Sequence, residues 1–263
     1  MHQLTALDAP PRMLTDAAAA LGCAGVCLFT HVPDAARGKF PAVTHDDVQP
    51  LRSALAAAGM VVANVEVFPL DGAPIEGFAT GLDLAALLGA VRATAHVHGA
   101  SGQEAIDRFA AFARLCRTHG IVAGLEFNRF SAVPDLPTAA AIVRAVRPEP
   151  ADMVLDLLHL VRSGGTPAEV AAAADLVSYA QVSDGPAAID DGGRWHEAVS
   201  ERMLPGEGAF PISRLLSPLR SGTIISVEVP RKSARLAGAG PVDRIGAAVA
   251  ATRAILHAGG PPR

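Results

Sequence analysis

Four side chains carrying oxygen donors punctuate the second half of the chain. Glu126 ends the run Ile-Val-Ala-Gly-Leu-Glu, Asp156 ends Met-Val-Leu-Asp, Gln181 follows Val-Ser-Tyr-Ala, and Glu228 follows Ile-Ile-Ser-Val. Each falls late in an apolar, β-branched run, so each is expected near the end of a buried strand. A lone carboxylate in such a place is costly to desolvate, or takes up a proton, unless a cation or hydrogen-bond donors meet it. Three of them imply a shared cation. No lysine or arginine falls inside these runs, which makes a bound divalent metal the economical reading. Three carboxylates and one amide oxygen form a hard donor set that favours Mn²⁺ or Mg²⁺, with Co²⁺ also accommodated, over a thiolate-type zinc site. The competing reading is that these residues pair with loop arginines or cap neighbouring helices.

To meet at one point the four must be carried by strands that surround a cavity. Eight candidate strands begin near Gln3, Ala24, Val61, Val91, Ile121, Asp152, Leu176 and Thr223, with alanine-rich segments of helical spacing between them. That alternation predicts α/β units and, at this length, a single (β/α)8 TIM barrel spanning residues 1–263 as one domain. A doubly wound sheet is the alternative, but no GxGxxG follows the first strand and no GxxxxGK[ST] occurs anywhere, so no nucleotide cofactor is expected. In a barrel, strand C-termini and the loops after them build the active site.

Local signals place the helices. Ser101 with Glu104 and Thr166 with Glu169 have capping-box spacing, and Pro167 and Pro241 suit a first helical turn. Ile106, Phe109, Ala110 and Ala113 predict the buried stripe of a helix that stops at Gly120. Gly185 to Gly208 reads as an extended loop over one barrel mouth, holding the one tryptophan, Trp195.

Composition removes other classes. The 22 basic residues nearly balance the 26 acidic ones, which argues against disorder and against a nucleic-acid-coating surface. The longest uncharged stretch, Ala17 to Pro33, is too short and too interrupted to cross a bilayer, and the N-terminus lacks a secretory pattern, so a cytoplasmic protein is expected. Cys23, Cys27 and Cys116 form no CxxC pair and read as small buried hydrophobes. Low complexity is confined to the Gly-Gly-Pro-Pro-Arg end.

Five motifs in register then resemble one family. Gly-Leu-Glu-Phe at 124–127, Leu-Asp-Leu-Leu-His at 155–159, Ala-Gln-Val-Ser-Asp at 180–184, Leu-Pro-Gly-Glu-Gly at 204–208 and Ser-Val-Glu-Val at 226–229 resemble the xylose isomerase-like sugar phosphate isomerase/epimerase superfamily across nearly the whole chain. The resemblance implies that Glu126, Asp156, Gln181 and Glu228 bind one divalent metal, with Glu126 and Glu228 doubling as proton carriers. It also implies that His159 contacts substrate, that Arg202 binds its oxygens or an anionic group, and that the chain forms a homodimer or homotetramer.

The expected activity is that of a metal-dependent isomerase or epimerase of a small sugar or keto-polyol. It proceeds by proton abstraction next to a carbonyl through a metal-stabilised enediolate. A dehydratase of the inosose or 3-dehydroshikimate type shares the first step, although Asn128 stands where such relatives carry histidine. A non-catalytic polyol-binding or partner-stabilising barrel is the reading of another class.

Further polar residues are candidate substrate contacts. Of His96 and His98 at one strand end, alternation points one into the mouth and one away. Glu66 and His31 close their own strands, each with a structural alternative such as a salt bridge. Asp190, Asp191 and Arg194 read as a solvated loop face, and Trp195 with His196 as a loop anchor or a water-excluding lid. Arg231 and Lys232, after the last strand, are suited to attracting a phosphate or carboxylate.

Overall fold

Seven of the eight apolar runs form strands that start within one residue of their expected positions in the computed structural model, which describes residues 1–259. They are β1 (Gly25–Phe29), β2 (Val61–Leu70), β3 (Arg92–Val97), β4 (Val122–Glu126), β5 (Ala151–Asp156), β6 (Val177–Val182) and β7 (Ile224–Val227). All pair in parallel in the order of the sequence, with helices on the crossovers. This is a nearly closed α/β barrel.

The expected first strand near Gln3 is the exception. Residues Gln3–Ala6 form a 3₁₀ turn, and only Met1 and His2 join the sheet. The His2 amide donates to the Val227 carbonyl at 3.0 Å, and the Met1 carbonyl accepts from the Cys27 amide at 2.8 Å, so two residues bridge β7 to β1. Above them side chains replace the ladder. Gln3 Oε1 accepts from the Phe29 amide at 2.8 Å, while Thr5 Oγ1 donates to the Val227 carbonyl at 3.1 Å and accepts from the Val229 amide at 3.0 Å. With those backbone groups satisfied, a full strand is unnecessary there.

Inside the barrel, the period of two puts Thr94 with His96, Val154 with Asp156, Tyr179 with Gln181, and Ser226 with Glu228 on the inward face. The lower layers are filled. Ala63, Val154 and Tyr179 pack together apart from the main core that lies under the helices. Arg92 pairs with Asp152 and lies 5.4 Å from the Tyr179 ring. Gly124 is required beside it, because a Cβ there would meet Arg92 Cδ at 2.8 Å and Val154 Cγ2 at 2.9 Å. With the interior packed below, the polar side chains of the top layer are left at the C-terminal mouth.

The helix signals mostly hold. Thr166 and Glu169 form a reciprocal capping box, Pro167 opens its helix, and Pro241 opens the C-terminal one. Ser101 does not cap. The chain turns at Gly99 and Gly102, both with positive φ, so the helix starts at Gln103, and Glu104 pairs with Arg108 at 2.6 Å instead. Its fully buried stripe runs through Ala105, Phe109, Phe112, Ala113 and Cys116, which leaves Ile106 and Ala110 half-buried. The Gly185 to Gly208 loop contains a short helix, Arg194–Ser200. Cys27 and Cys116 are buried and Cys23 half-buried, all as free thiols. Among the described residues no helix is long and apolar enough to cross a membrane. The C-terminal Gly-Pro-Pro-Arg at 260–263 lies outside the described residues.

Candidate active site

The carboxylates at the strand ends meet at the C-terminal mouth, beneath a cavity of about 570 Å³. Glu126, Glu228, Glu66, His96, His98, His159 and Arg202 line it, together with an apolar wall that includes Phe29, Phe40, Phe130 and Trp195. Asp156 and Gln181 lie just below, with no solvent exposure.

Arg202 changes the charge balance expected from the strands. It comes from the loop after β6, where its backbone amide donates to the Pro230 carbonyl at 2.8 Å, and its guanidinium enters the site from the side. Nη1 donates to Asp156 Oδ2 at 2.7 Å and Nη2 to Glu228 Oε1 at 3.3 Å. No lysine or arginine of the strand runs themselves meets these carboxylates, but a loop arginine does, as the competing reading held. Asp156 also caps the helix Leu157–Arg162, with Oδ1 accepting from the Leu158 amide at 2.7 Å. For Asp156 the pairing-and-capping alternative is thus realised.

One guanidinium does not satisfy the whole set. Glu228 Oε2 and Gln181 Oε1 are buried without a hydrogen-bond partner. Gln181 Nε2 donates to Glu66 Oε1 at 3.3 Å. Glu126 is met by two imidazoles, with His96 Nε2 2.7 Å from Oε2 and His159 Nε2 3.7 Å from Oε1. Donor atoms of Glu126, Asp156 and His159 all lie within 4.8 Å of one another, close enough to share an ion.

The electrostatics follow from this crowding. Burial, together with the negative charges of Asp156 and Glu66, pushes the Glu228 carboxyl up to about 8, against the pull of Arg202 and His2. Burial also opposes ionisation of Asp156, but Arg202, His159 and the Leu158 amide overcome it and hold its pKa below the ordinary value. Glu66 is likewise held down, by His2 and His96 against its burial. His96 is raised because Glu126, with help from Glu66 and Glu228, outweighs its burial. His159 is lowered by burial, with Arg202 and His96 adding to the effect.

The remaining candidates divide. His96 and His98 both face the cavity, which corrects the expectation that one of them points away: residues two apart on a strand share a face. Glu66 faces it from the middle of β2. His31 does not line it; β1 ends at Phe29, and the imidazole stacks on Phe68 at 5.4 Å and meets Phe78 edge-on at 4.9 Å. Asp191 pairs with Arg194 at 3.0 Å on the solvated loop face. Trp195 is 60% exposed and packs edge-on against Phe130, which in turn meets His159.

Two residues passed over in the sequence matter here. His2 lies with Nε2 3.0 Å from Glu66 Oε2, and its place one residue before the first expected strand was the available signal. Asp184, inside a quoted motif, accepts from the amides of Gly185, Gly206, Gly208 and Phe210 at 2.8–3.1 Å. It also pairs with Met203 through two backbone hydrogen bonds of 3.0 Å, so it anchors the segment that delivers Arg202.

A parallel barrel with a polar cluster at the C-terminal mouth of its strands defines a TIM-barrel protein with an enzyme-type site. The chain belongs to the xylose isomerase-like TIM barrel family, whose model matches residues 15–255. No curated protein sequence matches it. Among solved structures it is similar to an IolI protein with a binding zinc atom, at 16% identity, TM-score 0.77, and coverage of 97% of this chain and 96% of that one. It is similar to the "probable 3-DHS dehydratase AsbF" of Bacillus anthracis, at 13% identity, TM-score 0.75, and coverage of 96% and 97%. It is also similar to the D-psicose 3-epimerase of Clostridium cellulolyticum H10, at 12% identity, TM-score 0.69, and coverage of 94% and 93%. All of this chain, but 44% of the other, aligns with a fusion of a xylose isomerase-like TIM barrel and 4-hydroxyphenylpyruvate dioxygenase, at 18% identity and TM-score 0.78. At such identities the likeness is one of fold.

Proposed function

We propose that the chain is a divalent-metal-dependent isomerase or epimerase of a sugar or keto-polyol, with one domain and one metal site. The observation that carries this is the set of four buried oxygen-bearing side chains from four adjacent strand ends, which one arginine leaves unsatisfied at Gln181 Oε1 and Glu228 Oε2. Orphaned buried acceptors of this kind are rare unless an ion or ligand meets them. Glu126, Asp156, Gln181 and Glu228 are the proposed ligands, and their all-oxygen character suits Mn²⁺ or Mg²⁺. The ion supplies Lewis-acid polarisation of the substrate carbonyl.

The protein's own groups do the rest. Glu126, three strands around the barrel from Glu228, would take the proton from the carbon beside the carbonyl and then release it to solvent, while Glu228 would take up a proton from solvent and deliver it to carbon. His96 orients Glu126 through the 2.7 Å contact. Arg202 and His159 bind substrate oxygens from the side of the cavity. Phe130 and Trp195 exclude water from the reacting carbon. Return of a proton to the same carbon gives epimerisation, and return to its neighbour gives isomerisation.

The experiment is solvent exchange. Manganese-loaded protein is incubated with a panel of ketoses and inososes in deuterated water. Deuterium beside the carbonyl without loss of water is the expected result. A conjugated, ultraviolet-absorbing product marks elimination instead, and exchange with no member of the panel contradicts a catalytic reading.

A further inference from the structure

A second pocket of about 200 Å³ opens beside the candidate active site, and Leu4, Leu7, Lys39, Val199 and Ser200 line both. Cations dominate its other walls. Arg231, Lys232 and Arg235 come from the loop and short helix after β7, and Arg244 from the C-terminal helix. With Lys39 these make five basic residues around one small space, on a chain whose formal net charge is −4.

The nearby acids neutralise one of the five, Arg244, and leave the other four. Asp8, the single carboxylate in the lining, is bound to Arg244 at 2.5 Å. The Glu201 carboxylate accepts from the Ser233 amide at 2.8 Å and the Ser233 hydroxyl at 2.5 Å. Among the described residues Lys39, Arg231, Lys232 and Arg235 have no carboxylate within 4.0 Å. The Nε atoms of Arg231 and Arg244 are also buried without a hydrogen-bond partner, and Arg244 is only 5% exposed. Buried donors without acceptors, in a cationic pocket, call for an anion with several oxygens.

We infer that this pocket is an anion-binding subsite that takes the phosphate or carboxylate end of a small substrate. Its size suits one such group rather than a polyanionic chain, and the five residues common to both linings set it directly against the cavity that holds the reacting end. The assignment rests on the proposed function only for the reacting end of that molecule. The substrate class then narrows to keto-polyols bearing a terminal phosphate or carboxylate.

The test is calorimetric titration of the chain in EDTA, with inorganic phosphate in one arm and succinate in the other. Saturable binding near one per chain is expected in at least one arm, and the tighter arm identifies the group. The double variant Arg231→Gln/Arg235→Gln should weaken binding by about tenfold or more, since two charge-assisted contacts are lost. Arg235→Glu alone, at an exposed position, should move it in the same direction. Arg114→Gln/Arg220→Gln, two exposed and distant arginines, should stay within about twofold, as a general change of surface charge does. No saturable binding in either arm, or equal losses in the near and distant variants, overturns the subsite. Because no metal is present, failure here leaves the metal site untouched, and failure of metal binding leaves this result standing.

Discussion

Replacing Arg202 by methionine removes the one guanidinium that holds Asp156 and Glu228, while keeping most of the side-chain volume. The contacts are 2.7 and 3.3 Å, and both Arg202 and Asp156 are almost completely buried. At an effective dielectric near 20, the 2.7 Å contact with the ionised Asp156 represents roughly 6 kcal/mol of gross attraction, while Glu228, protonated at neutral pH, contributes a hydrogen bond rather than a second ion pair. Removing one partner of a buried pair costs about 3–5 kcal/mol net, because the other charge is left without compensation. His159, 3.9 Å from Asp156, can take up a proton and relieve part of this, which favours the lower end. For a chain of this size each kcal/mol moves the thermal midpoint by about 2–4 °C, so Arg202→Met in EDTA should melt at least about 6 °C below the unsubstituted protein. A divalent ion among the same carboxylates replaces the lost charge. Mn²⁺ at about a hundred times its Kd returns about 2.7 kcal/mol to any form that binds it, and more to the variant if binding there is tighter. The assay is thermal unfolding of both proteins in EDTA and in Mn²⁺, and the stability gap should narrow with metal. A variant as stable as the parent in EDTA, or a gap that Mn²⁺ leaves unchanged, refutes the argument that Arg202 and an ion compensate the same charges.

Three further outcomes follow. The Glu228 carboxyl, held at about 8 against an ordinary 4.5, is protonated in the metal-free protein at neutral pH and must ionise to ligate. Metal affinity should therefore rise by up to about tenfold per pH unit below pH 8 and flatten above it, and calorimetry in buffers of different ionisation enthalpy should detect proton release. By the same shift, Glu228 lowers the stability of the metal-free fold progressively as pH rises from about 4.5 to about 8. Asp184→Asn keeps one acceptor oxygen and turns an amide nitrogen toward two backbone donors, losing two charge-assisted hydrogen bonds worth about 3 kcal/mol or more together. Hydrogen exchange at Gly206 and Gly208 should accelerate and kcat should fall as Arg202 loses its support. Trp195→Ala, at an exposed position, should change stability by less than about 0.5 kcal/mol, yet lower kcat/KM by uncovering the reacting carbon.

Much of the barrel was legible because its strands are short β-branched runs between alanine-rich helices. The polar ends of β4, β5 and β6, with Glu228 after β7, could be placed at one mouth from their position alone. Legibility failed where side chains do the work of backbone, as with Gln3 and Thr5, whose hydrogen bonds replace an eighth strand. It failed again where a residue arrives from a long loop, since nothing in the pattern around Arg202 tells how deep its guanidinium reaches. His31 illustrates a third limit. Its expected exposure to the cavity depended on a strand that ends two residues earlier, and Phe68 and Phe78 offer the ring an apolar seat instead.

The most direct measurement is anomalous diffraction from crystals grown with Mn²⁺. A single strong peak is predicted between Glu126, Asp156, Gln181 and Glu228, with the Arg202 guanidinium drawn away from at least one carboxylate. At saturating Mn²⁺, no peak at that position, with Arg202 still bridging Asp156 and Glu228, would contradict the account.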